Sequence, residues 1–253
     1  MPDSSPHIQL LDADRELASR LPASQVEAAR RAIVTPVLEL PSGPWYPPTA
    51  GPPDPVELGF VVLEGLLIRD IELVTRRAGE LLGRGDVLRP SEHDGEDAPL
   101  PFSVEWTVVE PARVAVLDRE ASRALVHWPE LVSGLLGRAI RRAHWLSLRH
   151  VIGQLIRVDA RLLALFWHMA DRWGHVEPEG VVVPLRLTHE TLARLVGAQR
   201  PSVTLALGEL AERELVVRRP DRTWRLSGDP PRDVAALAHQ FQRSTTRGRE
   251  ATA

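Results

Sequence analysis

Cysteine is absent from all 253 residues. The chain therefore cannot build a disulfide, a thiolate metal site or a cysteine-held iron–sulfur cluster. Lysine is absent too: every basic residue is an arginine. No apolar run approaches the ~20 residues of a membrane span. The opening MPDSSPHIQLLDAD lacks the basic start and apolar core of a secretory signal. These absences predict a cytoplasmic protein with no membrane contact. Catalytic signatures are missing as well. There is no Walker loop, GxSxG, HExxH or pair of carboxylates at a plausible helical spacing. No enzyme activity, catalytic residue, metal site or cofactor is expected.

What is present suits a globular chain. The length allows two modest domains, each with its own core. Charge is divided unevenly. Residues 181–253 carry 12 arginines against 8 acidic residues, while the whole chain has a net charge of −3. The C-terminal part is thus about +4 on a body of about −7, a balance that suits a separate nucleic-acid-binding module.

The most informative stretch is LTHETLARLVGAQRPSVTLALGEL, residues 187–210. Thr188 is a good N-cap, and Leu192, Ala193, Leu195 and Val196 give one apolar face. Gly197 ends that helix, and Ala198, Gln199 and Arg200 make a turn. Pro201 falls in the first turn of a second helix, where its missing N–H costs nothing. Val203, Leu207 and Leu210 give the second stripe. Two helices around a tight turn, with Gln and Arg at the second N-terminus, have the spacing of a DNA-reading helix-turn-helix. Immediately after it, ELVVRRPDRTWRLSG (214–228) predicts a β-hairpin turning at Pro220-Asp221, placed as a wing.

The preceding chain divides by texture. Residues 1–34 read as a polar tail and a helix starting near Pro22. Residues 35–127 hold strand-length β-branched runs cut by turns: VLEL (37–40), LGFVVLEG (58–65), LLIRDIELV (66–74), VEWTVVEP (104–111) and RVAVLD (113–118). PSGPWYPPTAGPPDP (41–55) reads as loop, because prolines do not fit a ladder. The runs predict an antiparallel sandwich or roll. The acidic SEHDGEDAP (91–99), with His93, reads as a solvated loop. Residues 128–157 predict a helix of roughly 45 Å. Val132, Leu136, Ala139, Ala143 and Leu146 form a coiled-coil seam on it, pointing to a homodimer. Residues 158–228 add a helix and a strand ahead of the helix-turn-helix and wing. Residues 229–243 read as a last helix and Ser244 to Ala253 as a disordered tail. The fold class is α+β.

This order, with the 187–210 stretch and its wing, resembles the bacterial transcription regulators related to the cyclic-AMP receptor and fumarate-nitrate regulator proteins, the Crp/Fnr type. The resemblance covers roughly residues 35–228. It implies an N-terminal β-roll like a cyclic-nucleotide-binding jelly roll, a long dimerisation helix and a C-terminal winged helix-turn-helix. It also implies double-stranded DNA, RNA polymerase and a small-molecule effector as partners. Carried over by position, the DNA-binding residues are Gln199, Arg200, Ser202 and Thr204 in the second helix. Thr188 and His189 open the first helix, and Arg218, Arg219, Arg222 and Arg225 lie in the wing. Pro201 and Leu205 stand where many relatives have polar readers. The effector cassette looks degenerate. Gly85, Asp86 and Arg89 follow its glycine stretch, but Phe102 precedes Ser103 where an arginine would hold a cyclic phosphate. Control by cyclic AMP is therefore not expected, with an atypical cyclic-nucleotide pocket as the alternative. His127, His144, His150 and His168 fit no haem motif.

Overall fold

The computed structural model describes residues 6–48, 56–90, 100 and 102–230. The acidic stretch 91–99, the tail 244–253 and most of the helix read at 229–243 lie outside the described residues. The chain divides into two units, with the division at residues 146 and 147. No helix among the described residues is long and apolar enough to cross a membrane.

The first unit begins with more structure than a polar tail. Strand β1 (His7–Gln9) is followed by short helices α1 (Leu10–Ala13) and α2 (Arg15–Ala18), then α3 (Ala23–Ala32). Asp14 caps α2 by accepting from the Leu17 N–H at 3.0 Å. Leu10, Leu11 and Leu17 are buried. They are too closely spaced to show a helical period, which hid this segment from pattern reading.

The sheet contains β2 (Val34–Leu40), β3 (Gly43–Trp45), β4 (Gly59–Leu73), β5 (Arg76–Gly83), β6 (Val87–Leu88) and β7 (Ser103–Leu117). Its order is β1-β2-β7-β4-β5, with β3 paired to β7 and β6 to β4. The runs at 58–65 and 66–74 are one continuous strand, β4, and those at 104–111 and 113–118 are likewise one strand, β7. Gly65 causes the apparent break. Its φ is +87°, and a Cβ there would lie 2.3 Å from the Pro111 carbonyl oxygen. Only glycine lets the two strands cross this irregular point. The loop read at 41–55 contains β3, because an edge pairing tolerates Pro44.

Alternation along β4 sends side chains to two cores. Val61 and Leu63 pack with Leu10, Leu17, Ile33, Ala115, Leu131 and Leu135. Phe60 and Val62 join Trp45, Leu67, Leu82 and Trp106 on the other side. There Trp45 meets Phe60 and Trp106 edge-on, at centroid distances of 5.9 and 5.6 Å. The roll is followed by α4 (Arg119–Leu125), capped by Asp118, and by α5 (Pro129–Gly153), which crosses the division between the units. Helix α5 ends four residues before the predicted 157.

The second unit holds α6 (Val158–Trp173), β8 (His175–Glu177), β9 (Gly180–Val183), α7 (His189–Val196), α8 (Arg200–Glu212), β10 (Val216–Arg218) and β11 (Trp224–Leu226). Its sheet runs β10-β11-β9-β8. Phe166 of α6 stacks obliquely on Trp224 of β11 at 4.9 Å, so the wing is anchored to the helical core.

Candidate DNA-binding interface

Local signals position the helix pair. Thr188 accepts from the Thr191 N–H at 3.1 Å, which satisfies one open donor of α7. Gly197 closes α7 in the left-handed region (φ 63°, ψ 43°), and the Ala198 N–H returns to the Ala193 carbonyl at 3.0 Å. Arg161 of α6 donates to the carbonyls of Val196 and Gly197 at 3.2 and 3.4 Å. A cation thus sits on the negative end of α7 and fixes the turn. Helix α8 starts at Arg200, one residue before the expected Pro201. Val203, Ala206, Leu207 and Leu210 of α8 are buried, while Gln199, Arg200, Ser202 and Thr204 are exposed.

The start of α7 touches the start of α8. His189 Nδ1 lies 2.9 Å from Thr204 Oγ1, and that hydroxyl also donates to the Arg200 carbonyl at 3.1 Å. Partial burial holds the His189 imidazole below the ordinary histidine range, and the charges of Arg218 and Arg200 add to the effect. His189, Arg200, Thr204 and Arg218 are therefore one neighbourhood. Thr188 is exposed beside it.

The wing arginines divide. Arg218 and Arg222 are exposed. Arg219 instead pairs with Glu177 of β8 at 3.1 Å, and Arg225 donates to the Glu179 carbonyl at 3.2 Å. Those two guanidinium groups tie the wing to the β8–β9 hairpin. Pattern reading could not find that engagement, because the β9–β11 pairing links residues about forty positions apart. Asp221 is held below the usual carboxylate range, mainly by hydrogen bonds from the Thr223 hydroxyl and N–H, so it serves the turn.

The expected effector pocket is not assembled as read. Asp86 is buried and accepts from the Gly83 N–H at 2.8 Å, stapling its own turn. Gly85 N–H donates to the Val62 carbonyl at 2.8 Å. Ser103, however, pairs with Glu72, ten positions further along β4, and the register separates it and Phe102 from the glycine turn. Arg89 is exposed. On the side that a Cβ at Gly85 would occupy, the nearest group is the Arg138 guanidinium of α5, 3.8 Å from that position.

Arg138 is itself occupied. It is 5% exposed and grips Asp14, 4% exposed, with one contact at 2.8 Å. One turn on, Arg142 takes both carboxylate oxygens of Glu80, at 2.5 and 2.8 Å, and donates to the Val87 carbonyl at 3.0 Å. Sequence reading missed all four residues. The available signal was two arginines at i and i+4 on a helix read only for its apolar seam. Among the described residues, no cluster of three or more histidines and acids could hold a metal ion.

Known proteins share this arrangement. Residues 160–227 match the Crp-like helix-turn-helix domain. The CRP-like cAMP-activated global transcriptional regulator of Mycobacterium tuberculosis is 31% identical over 136 residues, 50% of this chain and 58% of that protein. The global nitrogen regulator of Synechococcus elongatus is 30% identical over 96 residues, 37% of this chain and 42% of that protein. The chain thus spans about half the length of these curated relatives. A CRP/FNR-family transcriptional regulator from Thermus thermophilus shares the fold, with a TM-score of 0.53 and 22% identity over 80% of this chain and 96% of that one. Residues 160–227 thus belong to the Crp-like helix-turn-helix family, and the chain as a whole is similar to Crp/Fnr-type transcription regulators. Its α7–α8 pair is the Crp-like helix-turn-helix, and β10–β11 is the wing. The family's fold, an N-terminal roll followed by a winged helix-turn-helix, is the α+β arrangement expected from the sequence.

Proposed function

We propose that this chain is a sequence-specific transcription regulator that binds double-stranded DNA as a homodimer on a near-palindromic operator. The observation that carries the proposal is the cationic, acid-free start of α8. Gln199, Arg200 and Ser202 are exposed there, the first turn holds no acidic residue, and Arg218 and Arg222 stand on the adjoining wing. Arg200 offers the planar fork that pairs with guanine, and Gln199 and Ser202 reach a base or a phosphate. Thr188 and His189 fit backbone phosphate, as do Arg218 and Arg222.

Alanine at Arg200 is expected to weaken binding to a selected operator by ~1–3 kcal/mol and to relax the choice of base at one position. Alanine at Arg218 should weaken all duplexes alike and lower the salt dependence by about one counterion. Selection of bound genomic fragments, followed by fluorescence anisotropy, measures both. An Arg200 variant with unchanged affinity and selectivity refutes the reading.

Binding should also take up a proton at His189. Burial, and then the charges of Arg218 and Arg200, hold the free imidazole below the ordinary histidine range. A phosphate at the start of α7 reverses that field and raises its pKa. Operator affinity is then expected to increase as pH falls between the free and bound pKa values, from the neutral range downward. His189→Gln should flatten that dependence, as read by anisotropy between pH 8 and 6.

Cyclic AMP is not the signal in this reading. The guanidinium nearest Gly85 already holds Asp14, and an added cyclic phosphate would have to displace that carboxylate. The Mycobacterium tuberculosis relative is named as cAMP-activated, which favours the second reading, a cyclic nucleotide in an atypical pocket. Calorimetry with cyclic AMP and cyclic GMP separates the two, and no saturable heat is expected. RNA polymerase and a small-molecule effector of another class are the other partners in this reading.

A further inference from the structure

Helix α8 has an unusual outward face. At 100° per residue its buried positions, Val203, Ala206, Leu207 and Leu210, share one side. Pro201, Leu205 and Gly208 fall at i, i+4 and i+7 on the opposite side, within roughly 60° of one another. Leu205 is 68% exposed, the largest apolar side chain projecting from this helix. A helix of a soluble protein normally presents charged or polar groups there. Polar groups instead flank the strip, with Arg200 and Thr204 on one side and Ser202 and Glu209 on the other, and Glu212 closes its C-terminal end. Gly208 adds to the asymmetry, since a Cβ at that position would meet nothing within 4 Å. The backbone one turn beyond Leu205 is therefore open to close approach.

Charge identifies what covers this face. The first turn holds no acid, Arg200 is exposed there, and Arg218 of the wing acts with Arg200 on His189, so the N-terminal part of the strip lies in a positive field. That setting matches a polyanion better than an apolar protein partner. In the major groove of duplex DNA one base-edge group is apolar, the 5-methyl of thymine. We infer that Leu205 reads a thymine methyl group, at a base pair next to the one contacted by Arg200. Pro201 and Gly208 lower the relief on either side, so the leucine side chain can reach the groove floor. Specificity at this position comes from buried apolar area instead of a hydrogen bond, and cytosine is rejected because it carries no methyl.

The inference rests on α8 reading DNA, and the test separates the two. The full chain is titrated against its selected operator and against duplexes in which each thymine in turn is replaced by deoxyuridine, which deletes only the methyl. One position in each half-site should lose about four-fold in affinity, the factor equivalent to ~0.8 kcal/mol for one buried carbon group. Leu205→Ala should bind the thymine and deoxyuridine duplexes equally, while wild type and variant keep the same thermal midpoint because residue 205 is exposed. Arg200→Ala should retain the deoxyuridine penalty. If wild type binds its operator selectively yet no deoxyuridine weakens it, the methyl contact is overturned and the DNA reading stands. The same holds if Leu205→Ala keeps the full penalty. If no duplex is preferred over random sequence, the reading of α8 falls and the inference falls with it.

Discussion

Asp14→Ala is expected to destabilise the first unit by ~3–5 kcal/mol, the cost of removing one partner from a buried ion pair. Both members are almost fully buried, and Arg138 would be left as a desolvated charge beside Gly85. Glu16, 3.3 Å from Arg138 but mostly exposed, recovers only a little of the loss. The Leu17 N–H would also lose its cap. Replacing both partners with apolar groups, Asp14→Leu with Arg138→Met, should cost much less than Asp14→Ala alone, because no charge is then stranded. Urea denaturation of the wild type, Asp14→Ala and the double variant measures this. Equal losses for Asp14→Ala and the double variant would contradict it. The pH dependence has a defined sign. Burial alone would push the Asp14 carboxyl up, but the hydrogen bond and charge of Arg138 outweigh it and the carboxyl lies below its ordinary value. A depressed folded pKa gives stability that is fully present above the unfolded value of about 3.9 and lost as pH falls through the folded one. The gap between wild type and Asp14→Ala should therefore persist at pH 5 and shrink only in stronger acid.

That pair also shows where sequence reading stopped. The helix-turn-helix was legible because its determinants act within a few residues. Thr188 caps its own helix, Gly197 supplies its own left-handed turn, and Pro201 lies where no N–H is needed. Asp14 acts across 124 residues, and nothing in its neighbourhood names Arg138. Leu10, Leu11 and Leu17 find their partners on β4, β7 and α5. A segment of such short elements carries no period of its own. The same limit produced two strands where β4 is one, since Gly65 is a stop signal locally and a crossing point only beside Pro111. The wing arginines were read as equivalent because they share one hairpin, and the β8–β9 hairpin brought up to β11 separates them. At the effector-like site, chain order put Ser103 close to the glycine turn, whereas the β4–β7 register puts it at Glu72.

Ile140→Glu is expected to convert the protein to a monomer and to lower operator affinity by ~10²–10⁴-fold, the advantage of engaging two half-sites at once. Helix α5 keeps one face for the roll, where Leu131 and Leu135 are buried. Its other face is open to solvent. Leu136 is 60% and Ile140 48% exposed, and Ala139, Ala143, Leu148 and Val151 are exposed with them. Of the seam read in the sequence, Leu136, Ala139 and Ala143 are exposed, while Val132 and Leu146 are half-buried. Ile140, absent from that seam, belongs to the open face, so the face is rotated toward it. An apolar-rich face along a 25-residue helix, interrupted by His144, Ser147 and His150, fits a second copy of the same helix. Across a two-fold axis, residue 140 then meets or closely neighbours its own counterpart, and two glutamates there repel in a desolvated setting. The decisive arm uses that symmetry. Ile140→Lys should also give monomers, yet an equimolar mixture of the Glu and Lys chains should recover both the dimer and operator binding, because opposite charges now face each other. Sedimentation gives the mass, and anisotropy on the operator and on random duplex gives the binding. Random-duplex binding should fall by less and lose about half its salt dependence, since each α8 and wing is untouched and only the second subunit's phosphate contacts are lost. An Ile140→Glu chain that stays dimeric with full operator affinity would place the subunit contact elsewhere on the molecule.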